Sequence, residues 1–187
     1  ELAEKVKILS LHGISSDAWK RYTKEGSATW QLIEPGFKYN MTDVQSSLGI
    51  HQIDMLDNFV DIRRSYANVY EKEFENFEGI ILPKSLGDIK NSRHIFPIIL
   101  DIDKLTITRD QFVDIMKKEN IGMGVHFPSF IPGYYNKVYG YKREDFPNAD
   151  FVWDRIVSIP LYPKMSFEDI RNVVDATKKI VSYYRKN

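Results

Sequence analysis

Thr42-Asp43-Val44-Gln45-Ser46-Ser47-Leu48-Gly49 opens the stretch whose reading decides the fold. Thr42 and Gln45 stand at capping-box spacing, where a hydroxyl and a side-chain amide three residues on each satisfy a backbone N–H at a helix start. Behind them Val44, Leu48, Met55, Leu56, Phe59, Ile62, Tyr66, Val69 and Phe74 recur mostly at intervals of three, four or seven, the period of one helix face. A helix is expected from Thr42 to about Phe77, with Gly79 stopping it. It is longer than most globular helices, which predicts that it bridges two packing environments.

Before this helix, Leu2, Val6 and Leu9 form a stripe at helical spacing, and His12-Gly13-Ile14 ends it, Gly13 serving as C-terminal punctuation. From Ser15 to Tyr39 no period persists, and Gly26, Pro35 and Gly36 break the stretch, so a long functional or packed loop is expected. The chain opens at Glu1 already in helical texture, without an initiator Met or a signal-peptide pattern. That opening predicts a piece of a longer protein.

After Gly79 the texture shifts to short strands and shorter helices. Ile80-Ile81-Leu82 and Ile95-Phe96-Pro97-Ile98-Ile99-Leu100 read as strands, with Pro97 calling for an edge position or a bulge. Thr108 caps a helix carrying Phe112, Ile115 and Met116, which ends near Asn120. Gly122 to Phe127 reads as another strand, Tyr134 to Asp145 as a loop rich in Tyr, Gly and Lys, and Ala149 to Val157 as a short helix. Ile159 to Pro163 reads as an extended turn. Ser166 caps a last helix that turns Phe167, Ile170, Val173, Val174, Thr177, Ile180 and Val181 inward. This order predicts an α+β domain with a small, largely antiparallel sheet.

Composition bounds the function. The 187 residues are 43% hydrophobic and 28% charged, enough apolar material for a real core. Twenty-six basic residues balance twenty-six acidic ones, so no global field draws the chain to nucleic acid or anionic membrane. No apolar run approaches the roughly 20 residues that span a bilayer. With no cysteine, disulfides, thiolate metal sites and thiol nucleophiles are excluded, and a cytoplasmic setting is expected. His12, His51, His94 and His126 are scattered without metal-ligand spacing, so no metal site is expected. Walker and dinucleotide glycine loops and the G-x-S-x-G elbow are missing too.

Two places carry chemistry of their own. Gly36-Phe37-Lys38-Tyr39-Asn40-Met41-Thr42-Asp43 is a polar loop entering a helix N-terminus, where free N–H groups favour an anion and Lys38 and Asn40 add a charge and an amide donor. The plainer alternative is a capped helix with Lys38 in solvent. In Gly122 to Tyr135, His126 follows two glycines and leads toward Tyr134 and Tyr135, a combination of imidazole and aromatic faces suited to a sugar. A half-buried histidine in an ordinary strand fits the same residues.

The ordered motifs say more than their chemistry. Glu1-Leu2-Ala3-Glu4-Lys5-Val6 leading to His12-Gly13-Ile14, then Pro35-Gly36-Phe37-Lys38-Tyr39-Asn40-Met41-Thr42-Asp43-Val44-Gln45 with Leu48-Gly49 and Gln52, resembles the PLP-dependent sugar aminotransferases of the DegT/DnrJ/EryC1/StrS type. The later segments keep that family's order: His94-Ile95-Phe96-Pro97-Ile98, Ile121-Gly122-Met123-Gly124-Val125-His126-Phe127, Tyr134-Tyr135, Phe146-Pro147-Asn148-Ala149 and Ser158-Ile159-Pro160-Leu161-Tyr162-Pro163. The resemblance covers essentially the whole chain.

It implies an α/β enzyme of fold type I, here its C-terminal part, α+β in itself: residues 1–41 ending the large cofactor domain, 42–78 the connecting helix, 79–187 the small domain. Family members carry the PLP-binding lysine upstream of the segment matching Glu1, so no catalytic residue is assigned in this chain and it is expected to be inactive alone. The resemblance further implies a homodimer in which the loop before the long helix reaches the partner's PLP phosphate. Either Lys38 or Asn40 fills that role, because many members have Asn where Lys38 stands. His126, Phe127, Tyr134 and Tyr135 are implied walls of a nucleotide-sugar pocket. A second family histidine is replaced near Phe130 or Ile131, and the spacing to the tyrosine pair is slightly shorter.

The implied reaction moves an amino group from glutamate to a keto-sugar on a nucleotide diphosphate, in polysaccharide or glycoconjugate biosynthesis. Two alternatives accompany it: a related PLP-family sugar dehydratase or regulator, and a non-enzymatic module that binds a glycan or a protein. A piece of such an enzyme is expected to expose apolar surface, and so to self-associate or repack its opening segment from Glu1 to Thr29.

Overall fold

The computed structural model describes residues 1–15, 31–84, 87 and 89–186. Most of the loop expected between Ser15 and Tyr39, residues 16–30, lies outside them. The contacts divide the chain into two compact units, Glu1–Met55 and Leu56–Asn187.

In the first unit, helix α1 spans Leu2–Ser10 and buries none of its side chains. Past its end Gly13 adopts φ +76° and returns its N–H to Ile8 O at 2.9 Å, the terminator expected of glycine there. Residues 31–39 are laced back onto this corner: Phe37 N–H donates to Leu9 O, Tyr39 N–H to Ser10 O and Ile33 N–H to Gly13 O, at 2.7, 2.8 and 2.8 Å. Gly13 and Gly36 make the crossing possible. A Cβ on Gly13 would sit 1.6 Å from Glu34 O, and one on Gly36 would sit 2.2 Å from Gly13 N. Ile14 is the one large apolar side chain buried among the described residues of this unit, while Leu2, Leu32, Phe37, Val44, Leu48 and Ile53 are exposed. Apolar exposure of the expected kind is therefore present.

Helix α2 runs Asp43–Phe74 and begins as its sequence requires. Thr42 N–H donates to Gln45 Oε1 at 3.0 Å, and Gln45 N–H donates to Thr42 Oγ1 at 3.3 Å. Its buried residues, Val60, Tyr66, Ala67, Tyr70 and Phe74, all lie after Met55.

The second unit holds the core. Strands β1 (Ile80–Ile81), β2 (Phe96–Leu100) and β3 (Ile156–Ile159) form an antiparallel sheet in that spatial order. Alternation sends Phe96, Ile98 and Leu100 of β2 with Val157 and Ile159 of β3 into the core. There they meet Phe112 and Met116 of α3 (Arg109–Lys118) and Ile170, Val174 and Val181 of α6 (Phe167–Tyr183). β2 is the central strand, yet Pro97 costs no ladder bond. Leu100 N–H points to β3, donating to Arg155 O, so by alternation Pro97 faces the β1 side, where β1 has already ended.

Both expected caps are present as full capping boxes, Thr108 with Gln111 and Ser166 with Asp169. Phe167 departs from the inward stripe of α6. It is exposed and lies edge-on to Tyr66. Tyr70 is buried with its hydroxyl donating to Pro160 O at 2.9 Å, and burial above all, then the charge of Asp169 and the neighbouring Tyr162, pushes its phenol pKa up.

Three local expectations are corrected. Gly122 to Phe127 is no strand: only Gly124 pairs, in a single bridge to Ser158, before the chain turns. The Tyr-rich stretch is a kinked turn at Ile131–Tyr135, a short α4 (Asn136–Tyr139) and a 3-10 turn at Arg143–Asp145. Helix α5 (Pro147–Trp153) starts and stops early, leaving Ile156 and Val157 to β3, where cross-strand partners outweigh helix continuation.

Asp169 links the last cap to pH. The Ser166 backbone N–H, and after it the Ser166 hydroxyl, hold its pKa below the ordinary carboxylate value. Folded Asp169 thus binds its proton less readily than the unfolded chain. Its stabilisation is complete above a pH of about 3.9 and is lost as pH falls through the lower folded value. Asp169→Asn is expected to lower the melting temperature at neutral pH and to converge with the parent as acid titrates the native carboxylate. A pH-independent difference in thermal scans would contradict this origin.

Candidate functional site

Residues 37–40 follow the glycine crossing, with one isolated bridge from Lys38 to Leu11. Phe37 and Tyr39 share a face, their rings stacked 4.9 Å apart and 5° from parallel. Lys38 is exposed and makes no ion pair with a described residue, while its backbone bridges Leu11. Asn40 is half-buried, and its Oδ1 is buried without a hydrogen-bond partner. An amide turned by 180° has the same shape, so this position presents either an acceptor or an N–H donor.

Immediately afterwards the capping box uses the N–H groups of Thr42 and Gln45. The N–H groups of Asp43 and Val44 remain without a partner among the described residues. The helix start is therefore partly satisfied by its own side chains, and the Asp43 carboxylate opposes an anion in its first turn. What is left over is one cation, one orphaned amide and two N–H donors. These fit an anionic group such as a phosphate.

In the second unit His126 lies against β3. Its Nδ1 is 2.9 Å from Ser158 Oγ, and its ring stands edge-on to Phe127 with centroids 5.1 Å apart. The peptide bond between His126 and Phe127 is cis. Phe127 is 72% exposed. Tyr134 and Tyr135 belong to a chain of rings: Phe130 meets Tyr135 and Trp153, Tyr135 meets Tyr139, and Tyr139 stacks on Tyr141. Gly140 at φ +70° and the Asn136 amide donating to Tyr141 O at 2.8 Å close this loop. Tyr134 keeps 64% of its surface exposed. Among the described residues no ring contact joins the His126–Phe127 pair to the tyrosine pair; the buried Ile131 lies between them in the chain.

Sequence reading missed Ser158 and Gly124 as site residues. The available signal was a lone hydroxyl inside the apolar run Ile156-Val157-Ser158-Ile159, because a buried polar group demands a partner. Two concavities lie elsewhere in the second unit. A groove of 690 Å³ between the turn that follows α3 and helix α6 is lined by Glu119, Asn120, Tyr162, Asp169 and Lys179. One of 400 Å³ is lined by Glu71, Lys84, Arg93 and His94. Neither includes the six residues singled out above. No cluster of described residues has the make-up of a metal site, and no described helix is long and apolar enough to cross a membrane.

This arrangement is the C-terminal part of the fold of PLP-dependent aminotransferases. Spr1654 of Streptococcus pneumoniae, a proposed sugar aminotransferase, superposes in its PMP form with TM-score 0.76 at 24% identity, over 95% of this chain and 44% of its own. Helicobacter pylori PseC, an aminotransferase of pseudoaminic acid biosynthesis, superposes with TM-score 0.78 at 19% identity, over 98% and 47%. The chain belongs to the DegT/DnrJ/EryC1/StrS aminotransferase family, whose model matches residues 1–178. In sequence it is 50% identical to the uncharacterized protein MJ1066 of Methanocaldococcus jannaschii, over 99% of this chain and 48% of that one. It is 42% identical to the spore coat polysaccharide biosynthesis protein SpsC of Bacillus subtilis, over 97% and 47%. The chain thus spans about half the length of the curated relatives it matches. The family is PLP-dependent, and solved relatives carry PLP and PMP forms.

Proposed function

We propose that this chain is the C-terminal portion of an aminotransferase that moves an amino group from glutamate to a nucleotide-linked keto-sugar for polysaccharide or glycoconjugate biosynthesis. The observation that carries the proposal is the family match over residues 1–178, and the naming of SpsC supports the pathway class. Residues 1–41 close the large cofactor domain, 42–78 form the connecting helix and 79–187 the small domain. The enzyme works in the cytoplasm as a homodimer, and the chain alone is inactive. The exposed apolar side chains of α1 and the first half of α2 support a need for covering by further protein.

When bound, PLP supplies the electron sink that lets an amine proton and an amino group move. The residues of this chain bind and orient. Lys38 offers an exposed ammonium and Asn40 a buried amide, held beside the close Gly13–Gly36 crossing, and they anchor the partner subunit's cofactor phosphate. His126 offers Nε2 as a hydrogen-bonding atom, while Phe127, Tyr134 and Tyr135 give apolar ring faces to the nucleotide-sugar.

The test uses the full-length gene product with PLP, glutamate and nucleotide-linked keto-sugars. Amino-sugar product is expected, and cofactor-loaded protein that makes none would end the proposal. Lys38→Ala and Asn40→Ala identify the anchor: loss of a charge-assisted contact is expected to weaken PLP binding about tenfold or more. Unchanged PLP affinity in both variants would remove the phosphate role.

A further inference from the structure

Ser158 occupies an unusual place for a hydroxyl. It is 5% exposed in the middle of β3, paired with Pro97 on the sheet face opposite the core. Its backbone bonds Gly124 in both directions, N–H to O at 2.7 Å and O from N–H at 2.9 Å. Its side chain meets His126 Nδ1 at 2.9 Å. A buried hydroxyl needs such a partner, and the imidazole in turn has one nitrogen engaged. Nε2 has no hydrogen-bond partner among the described residues.

Gly124 completes the seat. A Cβ there would lie 2.6 Å from His126 Cε1 and 3.2 Å from Nδ1, so the ring packs directly over the glycine. His126 is thus located from two sides, by the Ser158 hydroxyl at Nδ1 and by the space where Gly124 lacks a side chain. The hydroxyl can donate to Nδ1 or accept from its N–H, so the contact fixes where the ring lies and leaves either tautomer open at Nε2. The bridge to β3 ties this seat to the most buried part of the sheet, so the ring is referenced to a rigid element.

We propose that Ser158 is a positioning residue: with Gly124 it fixes the rotamer of His126, so that Nε2 is presented at one defined place to a polar group of the sugar. The inference rests on the reading of His126 as a wall of the nucleotide-sugar pocket.

Two readouts on the full-length holoenzyme test it. The imidazole nitrogen resonances of histidine-labelled protein report the ring state of His126, which can be assigned by its loss in His126→Ala. An Nδ1 resonance shifted by a hydrogen bond is expected in the parent and in Ser158→Thr, which keeps the hydroxyl, and loss of that shift in Ser158→Ala. In kinetics with a nucleotide-linked keto-sugar, Ser158→Ala is expected to raise KM about fivefold, the worth of one hydrogen bond. Gly124→Ala, which pushes the ring from the other side, is expected to do the same. Neither is expected to add to the effect of His126→Ala, because both act through that ring. If His126→Ala raises KM while Ser158→Ala changes neither KM nor the spectrum, the positioning role is wrong and the pocket reading survives. If His126→Ala leaves KM unchanged, the pocket reading itself fails and the positioning role falls with it.

Discussion

Gly13→Ala is expected to detach residues 31–39 from the end of α1 and, in the full-length protein, to cost PLP retention. Two effects add at this position. The new Cβ meets Glu34 O at 1.6 Å, a distance no side-chain rearrangement relieves because the obstacle is backbone. The φ of +76° is strained for any residue with a Cβ. The hydrogen bonds into Leu9, Ser10 and Gly13 carbonyls then have to lengthen or break, a loss of roughly 3 kcal/mol or more when several backbone bonds go together. Hydrogen exchange at Phe37, Tyr39 and Ile33 reads this directly, and fast exchange is expected there with the second unit unaffected. Under the proposed function, PLP dissociation also accelerates, since Lys38 and Asn40 lose their footing. Protected amides and parental cofactor retention together would show that the crossing does not position the loop.

The second large effect lies in the core. Phe112 is fully buried on α3, in the cluster that includes β2, β3 and α6. Phe112→Ala removes most of an aromatic side chain from a site closed by several elements, and large-to-small changes of this kind cost about 3–5 kcal/mol through lost transfer and residual cavity. For a domain of this size that is roughly a 10 °C fall in melting temperature. Calorimetry of the variant beside Phe112→Leu separates volume from aromatic shape, since the leucine retains most of the filling. A fall of only a degree or two would mean that the core collapses around the gap, or that α3 is loosely held.

The two predictions sit in different units for a physical reason. The second unit is stabilised by burial, so its weak points are large side chains such as Phe112. The first unit buries little among its described residues and is held by backbone hydrogen bonds around two glycines. Its weak points are therefore positions where a side chain has no room. Exposed apolar residues on α1 and on the first half of α2 fit a piece whose packing partner is other protein, in keeping with relatives about twice as long.

The helices α1, α2, α3 and α6 were legible in the sequence, because a helix closes its hydrogen bonds within a few residues and its caps and periodicity are local. Thr42 with Gln45, Thr108 with Gln111 and Ser166 with Asp169 are each contained in four residues. The ordered motifs also made the family legible, and through it Lys38, Asn40, His126, Phe127, Tyr134 and Tyr135 as residues to examine. The strands were legible only in part. Whether Gly122 to Phe127 continues as a strand depends on how many partners β3 offers, and β3 offers Gly124 one bridge before His126 turns back over it. Pro97 in a central strand looks forbidden until the short length of β1 is known, and Ile156 leaves its helical neighbours because Ile99 stands opposite. Ser158 shows the limit most clearly. A serine in an apolar run signals in the text that a partner is needed, but its pairing with His126, 32 residues away, exists only once the sheet has set the two side by side.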